Sequence, residues 1–421
     1  MNQYESKIIH VMTHPPAYEE YADKPRPANS WNTLNGSWVG IWGYDWADLL
    51  SIEVRKICKE FTHEIWQPDL RADQIYGKEI YPGVSHILFP ADEFSKWIGL
   101  RKTKELYSPE MITKARSYSN IKVFHIGQSV TSSINKKFLE IFQNVPFVFS
   151  FHGQITLPVV SLFKFNRNFP SKIYYLKEHF YSKKLFKRIH FLTFQSNKNL
   201  SYLSSYYKGN SLKITMGIDF EKYQGYEKEK CRSELKLPVN RKILLTVCRL
   251  YSLKQVDKII EVLSTIKKDF LFIVVGHGTR SYEEYLRVKA ETLIKNRKII
   301  FTGYKTGLEL VKYYHSADLF IHVSKAEAGP VTIMEAMACG VPVFCTDTGN
   351  TSEILKANNS GVVVGVKNYR IWRKKLIDYI EGEKINALEI SIAKQHYDWS
   401  NVAREFVHIY NNTNCDLKKV H

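Results

Sequence analysis

The sequence predicts an α/β protein of two doubly wound domains, each a mostly parallel sheet covered by helices. Three observations carry that prediction. Short apolar segments recur through the chain, separated by polar stretches of helix length, as crossover connections between parallel strands require. Between Gly217 and Arg241 the chain turns polar, with FEKYQGYEKEKCRSELKLPVNRK leading to an apolar strand at Ile243, which places a domain boundary near residues 220–240. Beyond it, strand-like and helix-like segments alternate without interruption to Cys345. A length of 421 residues suits two or three domains at roughly 150 residues each.

In the first half, Ile8 to Met12 is the opening strand candidate. His14-Pro15-Pro16 and the aromatic, glycine-punctuated stretch from Trp31 to Asp45 then predict a long loop. Asp45 to Phe61 alternates apolar and charged residues at helical spacing, and Glu64 to Trp66 suits a short strand. Further strand candidates are Ser85 to Phe89, Ile121 to Ile126, Phe147 to Ser150 and Phe191 to Gln195.

The second half is plainer. Strands are expected at Ile243 to Val247, Phe270 to Val275, Ile299 to Phe301, Leu319 to Val323 and Val341 to Cys345. Helices are expected between them at Gln255 to Lys267, Tyr282 to Leu293, Leu308 to His315 and Thr332 to Ala338. An amphipathic helix from Val402 to Tyr410, anchored by Trp399, closes the pattern. Two such halves facing one another would leave a substrate cleft between them.

Composition narrows the function classes. Sixty Lys and Arg against 42 Asp and Glu leave +18, which favours anionic partners: nucleic acid, phospholipid headgroups, or a nucleotide- or phosphate-linked substrate. A hydrophobic fraction of 44% excludes global disorder. The six cysteines form no CxxC pair and no dense framework, which favours a reducing compartment. MNQYESKIIHVMTHPP lacks the pattern of a secretion signal, and the apolar runs fall short of the roughly 20 residues that cross a bilayer. A cytoplasmic protein is expected, with the cytoplasmic face of a membrane within its reach.

Several constellations suit chemistry on a phosphate-linked sugar. Glu327 and Glu335 flank a loop running into a helix through Gly329, Pro330, Val331 and Thr332. A carboxylate at a strand exit can accept paired sugar hydroxyls, and helix-start amides can meet phosphate. Arg249 and Lys254 follow the strand ending Val247-Cys248, where two cations can neutralise a leaving diphosphate; an ordinary solvated basic turn is the plain alternative. Gly276-His277-Gly278 and Thr302-Gly303-Tyr304 follow the next two strands, as substrate contacts or as tight turns. His152, in Ser150-Phe151-His152-Gly153, can hydrogen-bond a sugar hydroxyl or be satisfied by neighbouring backbone. His125 and Gly127 end the preceding strand and suit a strand edge, while Gln195-Ser196 and Gly217-Ile218-Asp219 suit architecture.

The segment EAGPVTIMEAMACGVPVFCTDTGNTSEIL, Glu327 to Leu355, resembles the signature of the retaining glycosyltransferases of family 4, the group 1 glycosyl transferases of GT-B fold. The resemblance implies two Rossmann-like domains across an interdomain cleft: residues 1–220 binding acceptor, 221–395 binding the nucleotide-sugar donor, and 396–421 forming a closing helix that crosses back. It implies that Glu327 contacts the transferred sugar and Glu335 the nucleotide ribose, with the amides of Gly329 to Thr332 near sugar and diphosphate. Arg249 and Lys254 match the family's diphosphate-binding cations, Gly276 its glycine-bearing turn, Tyr304 the segment near the base, and His152 the histidine facing the transferred sugar. Gly329-Pro330 stands where many relatives carry Phe-Gly, and Gln255 where many carry glycine. Front-face attack assisted by donor phosphate would retain the anomeric configuration, and domain closure would exclude water.

No cofactor or metal is expected beyond the donor, a UDP-sugar by preference or a GDP-sugar. A glycan or lipid-linked acceptor of surface polysaccharide or glycolipid synthesis is expected by the same analogy. Two stretches bear on the acceptor. The loop to Trp46 carries Gly36, Gly40 and Gly43 among Trp31, Trp38, Trp42 and Tyr44, rings that could stack on an acceptor sugar. From Phe163 to Arg188, lysines and arginines interleave with aromatic residues, suiting peripheral contact with an anionic membrane or an aromatic core face with solvated lysines. Two other classes stay open: a noncatalytic GT-B-like binding protein, and a basic nucleic-acid-binding module. For the latter no zinc-ligand series or RNP-like pair is present.

Overall fold

The computed structural model describes residues 5–13, 46–70, 72–98, 101–127, 130–152, 169–327, 329–357, 361–382 and 390–413. The aromatic loop as far as Asp45, Gly153, and residues 163–168 of the basic aromatic stretch lie outside the described residues. The chain divides into two compact units: Met1–Thr215 with Trp399–His421, and Met216–Asp398.

In the first unit the strands are β1 (Ser6–Val11), β2 (Phe61–Asp69), β3 (Tyr76–Tyr81), β4 (Val84–Pro90), β5 (Asp92–Ile98), β6 (Arg101–Tyr107), β7 (Ile121–Gly127), β8 (Phe147–Phe151), β9 (Phe191–Phe194) and β10 (Asn210–Lys213). Eight of them form one sheet in the order β10-β9-β8-β7-β1-β2-β4-β3, parallel except for the antiparallel β3 edge. Strands β5 and β6 make a separate antiparallel ribbon. Sequence periodicity missed β3, β5, β6 and β10, because YGKEIY, DEFSKWI and RKTKELY alternate apolar and charged residues too weakly to stand out and β10 has four residues. One face of the large sheet packs Ile8, Phe61, Val123 and Val148 under Leu50 and Val54 of helix Trp46–Ile57 and Phe406 and Tyr410 of helix Trp399–Asn412. The other face packs Phe124, Phe147, Phe149 and Leu192 against helices Pro109–Arg116 and Ser133–Ile141 and the end of Phe169–Phe186.

The second unit holds β11 (Lys242–Val247), β12 (Phe270–Val275), β13 (Ile299–Gly303), β14 (Leu319–His322), β15 (Val343–Thr346) and β16 (Val362–Val364). They form an all-parallel sheet in the order β13-β12-β11-β14-β15-β16. Its strands are apolar on both faces, as helices on both sides demand: β12 is buried at all six positions. The chain winds outward from β11 to β13 and then returns to lay β14 on the other side of β11. The reversal point, at the carboxyl ends of β11 and β14, is where open α/β sheets of this kind place their ligand sites. The opposite ends of the same two strands are clamped by a charge network. Asp318, just before β14, accepts from the Ile243 amide at 2.8 Å, from Arg232 at 2.7 Å and from Lys228 at 2.9 Å.

Candidate functional site

The carboxyl ends of β11 and β14 carry Arg249, Lys254 and Glu327, three of the sequence-predicted groups of the second unit. After β11 the chain passes Arg249, half-buried, and forms a short turn of helix, Ser252–Lys254. The turn is tied to the neighbouring loop, since Leu253 O accepts from Lys325 N at 2.7 Å and from Ser324 Oγ at 3.1 Å. Thr346 in turn donates its hydroxyl to Ser324 O at 2.6 Å. This bracing brings Lys254 Nζ into a short hydrogen bond and ion pair with Glu327, with only 14% and 12% of their side chains exposed. The same Glu327 oxygen lies 3.0 Å from His322 Nε2, at the end of β14. Burial alone would raise the Glu327 carboxyl, yet the hydrogen bonds and charge of His322 and Lys254 hold it down at about 2.

From Glu327 the chain continues through Gly329 to Pro330, which precedes helix Val331–Ala338 with extended backbone and accepts from Ile333 N at 3.1 Å. Val331 and Thr332, both half-buried, open the helix. Glu335 lies one turn further in and is held on both oxygens: Tyr223 donates to Oε1 at 2.9 Å and Tyr314 to Oε2 at 2.6 Å. Neither tyrosine was legible as a partner, because both lie far from Glu335 in sequence. Each carboxylate oxygen keeps a second lone pair for a ligand hydroxyl.

The Gly276-His277-Gly278 turn has an architectural reason for its glycines. A side-chain carbon on Gly276 would fall 1.9 Å from Cys248 O, and one on Gly278 1.9 Å from Leu250 O. The backbones of 248–250 and 276–278 thereby zip together, with Leu250 N donating to His277 O at 2.7 Å. This clasp sets the exit path of the Arg249 and Lys254 loop. His277 meets Tyr304, which is exposed, with ring centroids 5.3 Å apart. The thiols beside the carboxylates are held neutral: burial pushes Cys248 up to about 11 and raises Cys339 further.

In the first unit the strands carry rows of His, Ser and Thr toward their carboxyl ends. On the face under helix Trp46–Ile57, each strand places an apolar residue and, two residues on, a polar one: Ile8 and His10, Phe61 and His63, Val123 and His125, Val148 and Ser150, Phe191 and Thr193. His10 Nε2 lies 3.2 Å from His63 Nδ1 and 3.0 Å from Ser51 Oγ. His125 bridges Tyr410 at 2.7 Å and Ser150 at 2.5 Å, and Ser150 meets Thr193 at 2.7 Å. Burial first, and neighbouring histidines second, hold His63 and His125 well below the usual imidazole range, so both are neutral. His152 stands just beyond β8, its Nδ1 3.0 Å from Gln195 Nε2 and its ring 4.2 Å from that of Trp46.

His10 and His63 escaped sequence reasoning. Their signal was the repeated apolar-x-polar spacing, which acquires meaning only once strand register aligns it. Among the described residues no group of three or more His, Cys, Asp or Glu is placed to hold a metal ion, and no described helix is long and apolar enough to cross a membrane.

Comparison with known proteins adds to this geometry. Residues 227–397 match the family described as glycosyl transferases group 1, so the second unit is related to that family. An uncharacterized glycosyltransferase of Methanocaldococcus jannaschii is 29% identical over 188 residues, 44% of this chain and 48% of that protein; the chain thus matches about half the length of this curated relative. Among solved structures, sucrose-phosphate synthase from Thermosynechococcus elongatus aligns over 97% of this chain and 98% of its own, with a TM-score of 0.67 and 15% identity. Anabaena HepE in complex with UDP and glucose aligns over 97% and 100%, with a TM-score of 0.64 and 14% identity. Such likeness speaks to the fold, two Rossmann-like α/β units of the GT-B class.

Proposed function

We propose that the chain is a retaining glycosyltransferase of family 4 that moves a sugar from a nucleotide diphosphate sugar to a hydroxyl acceptor. The observation that carries this reading is the Lys254–Glu327 pair at the carboxyl ends of β11 and β14, just before helix Val331–Ala338. In the reaction the bond from the anomeric carbon to the diphosphate oxygen breaks, and the acceptor oxygen bonds to that carbon from the same face. The acceptor proton passes to the departing phosphate. Arg249 and Lys254 neutralise the charge that grows on the diphosphate, and the first amides of the helix lie in reach of the same group. Glu327 accepts hydroxyls of the transferred sugar, His152 hydrogen-bonds another, and Glu335 takes the ribose. Gly276 and Tyr304 border the nucleotide. A UDP-sugar is the preferred donor, supported by the UDP and glucose bound to the structurally similar HepE.

The test is a screen of UDP-, GDP-, ADP- and TDP-sugars for binding and donor hydrolysis, with wild type beside Glu327→Ala and Arg249→Ala. A donor-specific signal lost by about a hundredfold or more in both variants is expected, the scale of removing a group that stabilises transition-state charge. Absence of binding and turnover across all four donor classes, in folded protein, would leave a noncatalytic binding role.

For the acceptor we propose a glycan or lipid-linked intermediate of surface polysaccharide or glycolipid synthesis, met at the cytoplasmic face of the membrane. Supporting this, helix Phe169–Phe186 exposes Leu176 and Phe180, at 47% and 63%, on one face with Lys177 and Lys184, and exposed Lys187 follows its end. Apolar side chains ringed by lysines suit an anionic headgroup layer. Cosedimentation with phosphatidylglycerol vesicles, weak with phosphatidylcholine and lowered severalfold by Phe180→Glu, is the expected result. Equal recovery with both lipids would remove membrane contact.

A further inference from the structure

We propose that Gln195 is a positioning residue that fixes the ring tautomer of His152, so that His152 presents its Nε2–H as a donor. The inference rests on the role given to His152 above and adds a residue whose sequence context suggested only architecture. Strands β8 and β9 are paired in register, Val148 with Phe191, Phe149 with Leu192, Ser150 with Thr193 and Phe151 with Phe194. Continuing that register by one residue sets His152 opposite Gln195. On the face under helix Trp46–Ile57 the strand pair therefore steps from an apolar rung, Val148 and Phe191, to a hydroxyl rung, Ser150 and Thr193 at 2.7 Å. The last rung joins ring to carboxamide, His152 and Gln195 at 3.0 Å.

Gln195 is built to hold still. It is 1% exposed, and the next residue, Ser196, caps helix Asn197–Leu203 by accepting from Asn199 N at 3.2 Å. The backbone that carries the carboxamide is thus fixed on one side by a strand and on the other by a capped helix. Trp46 lies against the His152 ring, and Gly127 leaves it room: a side-chain carbon at Gly127 would come within 3.3 Å of the indole. Ring rotation is restricted by the indole, and the proton position by the amide. A carboxamide N–H pointing at Nδ1 makes that nitrogen an acceptor, and a ring with one proton then carries it on Nε2. A sugar oxygen meeting His152 would accept a hydrogen bond, which suits a hydroxyl that in turn donates elsewhere.

The experiment is nitrogen NMR of the full chain labelled in histidine, with the His152 signals identified by their loss in His152→Gln. Wild type is expected to show Nδ1 unprotonated and Nε2 protonated. In Gln195→Leu the two tautomers should mix, with thermal stability recorded alongside. The isosteric Gln195→Glu covers the case in which the leucine variant fails to fold: its carboxylate would draw a proton to Nδ1 and leave the ring doubly protonated at neutral pH. With a donor that turns over, Gln195→Leu should lower kcat about tenfold with little change in KM, and Gln195→Asn should restore part of it. A wild-type ring protonated on Nδ1, or a tautomer unchanged in both the leucine and glutamate variants, overturns the inference. These readouts need no donor, so they stand apart from the donor screen, whose failure would remove the transferase reading alone.

Discussion

At the carboxyl end of the second sheet a full positive and a full negative charge face each other, Lys254 and Glu327, on loops that leave the strands. In the first sheet His63 and His125 are held neutral, and they sit within the strands themselves in rows with His10, Ser150 and Thr193. The difference follows from pairing. The ion pair lies at the rim of the sheet and is itself nearly covered, yet its two charges offset each other and His322 hydrogen-bonds the carboxylate. His63 and His125 are fully covered with no carboxylate among their hydrogen-bond partners, and burial keeps both uncharged. A rim pair suits the chemistry of a charged leaving group; a covered neutral row suits holding a ring in place.

The sharpest way to break the contrast is to remove one charge. Lys254→Met leaves Glu327 nearly buried beside His322 with its cation gone, and the expected loss is about 3 kcal/mol, since an unpaired buried charge costs far more than the pair gains. Adding Glu327→Met should restore most of that stability without restoring donor turnover. Urea unfolding of both variants checks it. A single variant as stable as wild type would show that the pair is solvated and contributes little.

Acid separates the two regions by pH. His63 and His125 have folded values below their unfolded one near 6.5, so their stabilisation is complete above that pH and falls as pH drops beneath it. Each contributes a slope of about 1.4 kcal/mol per pH unit. Glu327, held at about 2 against an ordinary 4.5, contributes above 4.5 and loses that contribution only as pH falls toward 2. Hydrogen exchange at pH 7, 6 and 5 should therefore show β1, β2 and β7 losing protection while β11 and β14 keep theirs. Simultaneous loss in both sheets would contradict the assignment of the neutral row as the acid-sensitive element.

Much of this was legible beforehand, for identifiable reasons. The second sheet has strands apolar on both faces and helices of regular period, so its alternation from β11 to β15 was expected from FLFIVV and its neighbours, while β16, three residues long, was not. Glu327, Arg249 and Lys254 could be singled out because each follows a strand. What binds them together could not: the Lys254–Glu327 pair spans 73 residues and depends on β14 being laid beside β11. The His row was hidden for the same reason, since His10 and His125 become register partners only when β1 and β7 pair. Strand β3 and the β5–β6 ribbon were lost to weak alternation rather than to long-range pairing, whereas β4 was expected at Ser85 to Phe89.

A smaller effect probes how the charged rim is held. The neutral rows stand on regular strands, whereas Lys254 precedes Gln255, whose backbone is left-handed at φ 53° and ψ 32°. A side chain in that region costs about 1–2 kcal/mol, and glycine removes the cost while adding about 0.5–1 kcal/mol of chain entropy in the unfolded state. Gln255→Gly should thus stabilise the protein by about 0.5–1 kcal/mol, a midpoint shift measurable by urea unfolding, and leave donor binding within twofold. A loss of stability would instead mean that the half-buried Gln255 side chain packs usefully enough to outweigh the strain. In that case the turn carrying Lys254 is held by its side chain as well as by its backbone, and the rim site would share with the neutral row a dependence on close packing that its charges alone do not reveal.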